Sequence, residues 1–406
     1  MSEQKNPLPL AGIRVVEFTH MVMGPSCGML LADLGAEVIK VEPVNGDNTR
    51  RLPGSGSGFY AMFNRNKKSL AVDVKQPAGR EAVLRLLATA DVFSENFKPG
   101  TMEKLGLGYE ALSKLNPRLI YVSHKGFLKG PYDQRTALDE VVQMMGGMAY
   151  MTGPEGRPLR AGASVNDIMG GIFGAIGAMA ALRTRDTTGR GQQVESSLFE
   201  NNVFLMGTHM MQYAVTGKPA KPMPSRVAAW AVYDVFEARD GGQIFLGVVS
   251  DTQWRLFCDA FGLAALKASP RLATNPQRVA EREWLMPQLR AVMATYSADE
   301  ISTRFEAHGL PFAPITQPHE LFEDEHLRES GGLAPVHIAP DASGAQADLD
   351  TRTPLLPLML DGERLGVRSN PPSIGEHTAA LLRELGYSAD EIKALESQQI
   401  IHDGEG

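Results

Sequence analysis

Gly12-Ile-Arg-Val-Val-Glu-Phe18, a break from His20 to Pro25, a helical run from Ser26 to Leu34 and Glu37-Val-Ile-Lys-Val-Glu42 decide the fold class. Two short β-branched runs flanking a helix, within about 30 residues, read as a βαβ unit. Gly35 suits the left-handed cap that ends such a helix. No Gly-x-Gly-x-x-Gly joins the first strand to the helix, so a nicotinamide site is weakly supported despite Glu42 at the second strand's end. Working outward, 68–74 reads as a strand, 77–90 as a helix with proline in its first turn, 91–96 as a strand, 109–115 as a helix and 118–123 as a strand. In an open parallel α/β sheet, ligands bind beyond the carboxyl ends of the strands. His20, Asn96 and Lys125 fall at such ends, although each taken singly reads equally as a turn or solvated residue.

A second stretch bears on chemistry. From Ile168 to Leu182 there is no charge and no proline, and Gly170, Gly174, Gly177 and Ala181 share one helical face. Each glycine costs a helix about 0.5–1 kcal/mol relative to alanine, so close packing against a backbone or a ligand must compensate. Asp167 stands at the mouth of this helix, where the N-terminal dipole favours an ionised carboxylate, a usable nucleophile. Asn166 or Asp167 alternatively reads as a plain N-cap.

The chain's 406 residues suffice for two or three domains. Forty basic against 47 acidic residues leave a net charge of −7, which provides no field for nucleic acid or an anionic membrane. Cys27 and Cys258 lie far apart in no metal-ligand spacing, which excludes a disulfide framework and fits a reducing compartment. The polar start lacks a signal peptide's apolar core, and the run 168–182 is shorter than the ~20 residues that span a bilayer. The expected location is the cytoplasm.

Further along, 138–150 reads as a methionine-rich helix interrupted at Gly146-Gly147, with the methionines as core filler, and 193–213 as a long helix. Gly54-Ser-Gly-Ser-Gly58 lacks the Gly-Lys-Ser/Thr ending of a phosphate loop and reads as a surface loop. A Pro/Lys-rich linker near 220 leads to a hairpin, 231–238 and 243–249, and three helical stretches. Pro311–Ile315 is an edge strand or connector, 318–329 is acidic and helical, and 331–370 holds loops and short strands. The tail carries a helix, a glycine cap and a new helix start at Ser388. The resulting division is 1–220, 226–330 as a smaller α+β unit, and 331–406.

Leu10–His20 with Gly24-Pro25, Leu34–Glu42, Phe63–Ser69, Glu95–Gly100, Leu105–Tyr109, Thr188–Gln192 and Pro371–Thr378 together resemble the class III CoA-transferase family. That family includes formyl-CoA transferase, carnitine CoA-transferase and α-methylacyl-CoA racemase. The resemblance implies an α/β fold: a Rossmann-like large domain built from both chain ends, a smaller α+β domain inserted between them, and an interlocked, ring-like homodimer. It places Asp167 at the family's catalytic aspartate. By family position His20, Val22, Val72, Lys75, Asn96, Phe97, Lys104 and Lys125 would line the CoA site, lysines suiting a ligand with three phosphates. Arg50, Arg51, His124 and Arg226 are candidate partners for a substrate carboxylate.

The implied reaction is CoA transfer from succinyl-CoA or a similar donor to a small carboxylic or dicarboxylic acid through an aspartyl-CoA thioester. It needs no metal and no permanently bound cofactor, the CoA thioester being a substrate. Val22 stands where formyl-CoA transferase has glutamine, the tryptophan after that enzyme's Thr-Arg is missing near Arg50-Arg51-Leu52, and its glycine-rich lid has no counterpart in 222–230. These departures count against oxalate and formyl-CoA. The racemase branch needs a histidine before an aspartate, and Arg135-Thr-Ala-Leu-Asp139 offers Leu138 there, which carries no proton. An intramolecular CoA shift and a non-catalytic acyl-CoA-binding relative are the other readings.

Overall fold

A computed structural model describes residues 7–225, 229–342 and 347–404. One compact unit comprises the chain up to Pro224 together with the part from Glu325 onward, and Ser225–Asp324 forms a second. Glu325–Glu329, read from sequence as part of the smaller unit, thus belongs to the larger one.

The larger unit is built on β1 (Arg14–Phe18), β2 (Glu37–Glu42), β3 (Lys67–Val72), β4 (Val92–Glu95), β5 (Ile120–Lys125) and β6 (Gln193–Ser197). These strands stand in the order β3-β2-β1-β4-β5-β6 and pair in parallel throughout. Val15 of β1 faces Val38 on one side and Val92 on the other, and all three are shut from solvent. Such doubly covered apolar strands are what helices on both faces of a parallel sheet require. The winding reverses at β1, so the carboxyl ends of β1 and β4 flank the topological switch point.

Two strands escaped the sequence reading. Gln193–Ser197 is strand rather than helix; it pairs with β5 at the sheet's edge, and only after it does Ser197 accept a hydrogen bond from Glu200 N and start a helix. At the other end Ile401–His402 pairs antiparallel with β3. Each is held by pairing with residues distant in the chain, a signal that local periodicity lacks.

The helices of this unit up to Pro224 are α1 (Met23–Asp33), α2 (Phe59–Phe63), α3 (Pro77–Ala88), α4 (Thr101–Lys104), α5 (Tyr109–Leu115), α6 (Asp139–Met145), α7 (Met148–Thr152), α8 (Val165–Thr188) and α9 (Leu198–Thr216), and its C-terminal part adds Glu325–Glu329, Thr378–Glu384 and Ala389–Ser397. Gly54–Gly56 forms a single 3-10 turn, so the glycine-rich tract is no phosphate loop. Met148 and Met151 are core residues as expected, but Met144 and Met145 face outward.

The apolar helix is longer than its uncharged run. It extends through Arg183, Arg185 and Asp186 to Gly189, whose φ of +71° ends it. Its 24 residues are long and apolar enough to cross a bilayer by length and composition alone. Its packing accounts for the glycines differently. A Cβ on Gly171 would stand 2.7 Å from Met23 O and 3.0 Å from Cys27 N, so α8 rests directly on the α1 backbone. Cβ atoms on Gly174 and Gly177 would collide with the His124 ring and with Val194, at 2.5 Å each. Arg185 closes the far end on Asp91 at 2.9 Å.

The returning C-terminal part is stitched to the sheet by buried polar contacts. Asn66 Oδ1 accepts from Arg368 N and Ser369 N, and Ser69 Oγ accepts from Gly375 N at 2.9 Å. The second unit is a three-stranded antiparallel sheet, Val232–Glu237, Gln243–Val248 and Phe312–Pro314, with helices including Asp251–Ala260, Arg282–Met293 and Ala298–Ala307. Trp254, Phe257 and Phe305 fill its own core.

Gly171→Ala should lower stability by about 2 kcal/mol and Tm by about 3 °C for a unit of this size, because backbone atoms cannot yield as a side chain can. Thermal unfolding checks this, and an unchanged Tm contradicts direct backbone contact.

Candidate active site

The first turn of α8 is capped from outside. Ser164 holds the N-cap position without a side-chain hydrogen bond. Asp139, the first residue of α6, instead accepts N–H donors from Asn166 at 2.7 Å and Asp167 at 3.0 Å on one carboxylate oxygen. Its other oxygen accepts from Gln143 Nε2, and Gln143 Oε1 in turn accepts from Ala161 N at 2.8 Å. Neither Asn166 nor Asp167 is the cap.

Asp167 therefore keeps a free side chain, but not the environment expected of a helix start. Burial, and then the neighbouring charge of Asp139, push its carboxyl up to about 7. The N–H groups that would favour its ionised form already hold Asp139, so the helix terminus is neutralised before it can act on Asp167. The adjacent Asn166 amide is fully buried with no partner, as is that of Asn202 in α9.

A second cluster lies at the switch point. His20 N donates to Asn96 Oδ1 at 3.0 Å, and Asn96 Nδ2 donates back to His20 O at 2.8 Å. The His20 ring rests on Phe97, centroids 5.0 Å apart, and burial lowers its pKa, so it is held neutral near pH 7. Glu95 ties the neighbouring strand ends together: one oxygen accepts from Lys125 Nζ at 3.1 Å and from Ser123 Oγ at 2.6 Å, the other from Phe97 N at 2.9 Å. Below this turn α1 begins at Met23 with no side-chain cap and no acidic residue in its first turn. Such a terminus suits an anion. The two clusters adjoin, because Gly170 and Gly171, one turn beyond Asp167, sit on Met23.

The model of the family described as CoA-transferase family III matches residues 10–378. This chain belongs to CoA-transferase family III. It is 36% identical to an acyl-CoA transferase of Fusarium pseudograminearum, over 97% of this chain and 88% of that one. It is 32% identical to the succinyl-CoA–D-citramalate CoA-transferase of Chloroflexus aurantiacus, over 99% and 100%. A CaiB/BaiF family protein from Brucella suis shares the fold, with a TM-score of 0.81 at 33% identity, covering 94% of this chain and 100% of that one.

Several residues expected at the site of this CoA-transferase are engaged elsewhere. Arg50 is wholly buried; its guanidinium pairs with both oxygens of Glu42, at 2.6 and 3.0 Å, and donates to Pro372 O, so no substrate carboxylate can reach it. His124 is sealed beneath α8, its ring held 3.0 Å from Ser94 Oγ and its pKa pushed down to about 3 by burial, with Lys125 adding to the effect. The side chains of Val22 and Val72 lie in the cores and offer no ligand contact. Arg51 is exposed and donates to Asn45 O and Asn48 Oδ1. Lys75 and Lys104 are exposed near β3 and in α4, and Arg226 lies outside the described residues.

Sequence reasoning passed over Asp139. In the sequence it stands out only as the neighbour of Leu138, because its capping role depends on a contact 28 residues away in the chain. Asp139→Asn retains an oxygen that can accept both N–H groups but removes the charge facing Asp167. The Asp167 carboxyl should then titrate at lower pH, and a rising limb of the pH–rate profile that follows it should move the same way. Asp139→Ala, which also loses the cap, should cost at least about tenfold in kcat. An unmoved limb in Asp139→Asn contradicts this coupling.

Proposed function

We propose that this CoA-transferase moves CoA from succinyl-CoA, or a similar acyl-CoA donor, to a small carboxylic or dicarboxylic acid through a thioester on Asp167. The observation that carries the reading is the free Asp167 carboxyl in the first turn of α8, on a helix seated directly on α1 beneath the His20 turn. Succinyl-CoA and dicarboxylates in the names of full-length relatives support the donor and acceptor class.

Asp167 attacks the donor's thioester carbonyl; the C–S bond breaks, giving a mixed anhydride and CoA thiolate. The thiolate attacks the aspartyl carbonyl of the anhydride, forming aspartyl-CoA and releasing the donor's acid as its carboxylate. The acceptor carboxylate attacks this thioester, and the expelled thiolate takes the acceptor's acyl group, restoring Asp167 as carboxylate. No net proton moves, so the requirement on Asp167 is ionisation at the start of the cycle. With its pKa at about 7, that form grows through neutral pH, and the basicity strengthens it as a nucleophile. Each tetrahedral oxyanion would find donors in backbone N–H groups at the helix starts.

His20, Asn96, Phe97 and Lys125 would frame the acyl-CoA at the switch point, with Lys75 and Lys104 available to phosphates from the surface. The racemase reading remains disfavoured: Leu138 carries no proton, and the buried His124 cannot replace an imidazole there. A homodimer is part of the reading. Phe204, Met210, Met211 and Tyr213 of α9 lie more than half exposed, and this many large apolar side chains in water along one helix suits a subunit interface. The buried free thiols Cys27 and Cys258 suit a cytoplasmic setting.

Incubation with succinyl-CoA and a panel of carboxylates, on protein whose mass is first measured by sedimentation, tests the reading. A dimer should turn over succinyl-CoA beyond about one equivalent per site only when an acceptor is present, and Asp167→Ala should lose at least about 10³-fold in kcat. Full transfer by Asp167→Ala overturns the mechanism, and an active monomer overturns the dimer.

A further inference from the structure

Between β1 and α1 the chain makes a turn that backbone preference opposes. Met21 is 40% exposed and takes a φ of +62°, a region that residues with a Cβ disfavour. Strain of this kind persists only where surrounding structure enforces it, and it concentrates at functional sites.

The enforcing contacts are specific. Met21 N donates to Thr49 Oγ1 at 2.9 Å. The Thr49 hydroxyl spends its own proton on Asp47 Oδ1 at 2.8 Å, so its lone pair is left aimed at Met21. Asp47 Oδ1 also accepts Thr49 N, and Asp47 Oδ2 pairs with Lys40 Nζ at 2.8 Å. Lys40 reaches back to the turn itself, donating to Thr19 O at 2.5 Å. Lys40, Asp47 and Thr49 are all buried, and the pair is firmly ionised: Lys40 overcomes the burial of Asp47 and holds its carboxyl at about 2. On the other side the Asn96 amide grips His20.

We propose that Thr49 is a positioning residue for the acyl-CoA: its hydroxyl, aimed by Asp47 and Lys40, holds Met21 in the left-handed turn that presents the start of α1 to the thioester. The proposal rests on the assignment of the His20 turn to the acyl-CoA. Thr49 touches no substrate, and its effect passes through the Met21 N–H. Threonine and serine can make this contact; valine, of the same shape, cannot.

Calorimetric binding of CoA and steady-state kinetics with succinyl-CoA test it. Thr49→Val should weaken CoA binding and raise the succinyl-CoA KM about tenfold, the equivalent of one lost hydrogen bond. Its kcat should stay within about twofold, since the chemistry at Asp167 is untouched. Thr49→Ser should restore both. Met21→Gly added to Thr49→Val should recover much of the loss, because glycine adopts the turn unaided. Thr49→Val binding CoA like the wild type while His20→Ala binds it poorly overturns the proposal and leaves the site assignment intact. A loss that neither serine nor Met21→Gly repairs also overturns it, as a general effect on folding. If His20→Ala binds CoA normally, the site assignment falls and the proposal falls with it.

Discussion

The contact between α8 and α1 sets the rest of the larger unit. Gly171 lets the two helices meet backbone to backbone, with Met23 O and Cys27 N where a side chain would otherwise stand. That closeness places the first turn of α8 beside the turn leaving β1, so Asp167 is brought near chain that begins at position 20. Gly174 and Gly177 extend the fit over His124 and Val194, which carries α8 across β5 and β6. Several glycines inside one helix are unfavourable by propensity, and the packing they permit is what compensates.

Electrostatics then decide what Asp167 can do. A helix N-terminus ordinarily stabilises a carboxylate, and one such carboxylate is indeed bound there, but it belongs to Asp139. Asp167 is denied the dipole, and burial, with the like charge of Asp139 added to it, raises its carboxyl to about 7. A carboxylate that basic near neutrality is a stronger nucleophile than one at its ordinary value, and one still ionised in a useful fraction. The fold thus uses one acid to hold the helix and to tune another. At the adjoining strand end His20 is likewise kept without charge by burial.

Much of this was legible in the sequence because it is local. Alternating helix and strand periods located β1 to β5, the strand-end rule singled out His20, Asn96 and Lys125, and glycine spacing marked the packed face of α8. What escaped depends on partners far along the chain. Val194 and its neighbours become strand only beside β5, and Ile401 only beside β3. Arg50 looked free for a substrate until Glu42, Tyr60 and Pro372 enclosed it. Asp139 and Thr49 act through backbone N–H groups, two for Asp139 and one for Thr49, which leave no composition or spacing signature. Family motifs supplied what periodicity could not, the likeness of Asp167 to a nucleophile rather than a cap.

The most direct test of the central claim is mass spectrometry of the protein incubated with succinyl-CoA and no acceptor, followed by digestion. The account predicts a gain of one CoA less one water on the peptide bearing Asp167, discharged on adding an acceptor acid and absent from Asp167→Asn. CoA transfer that proceeds with no adduct, or with the adduct on another residue, would contradict it.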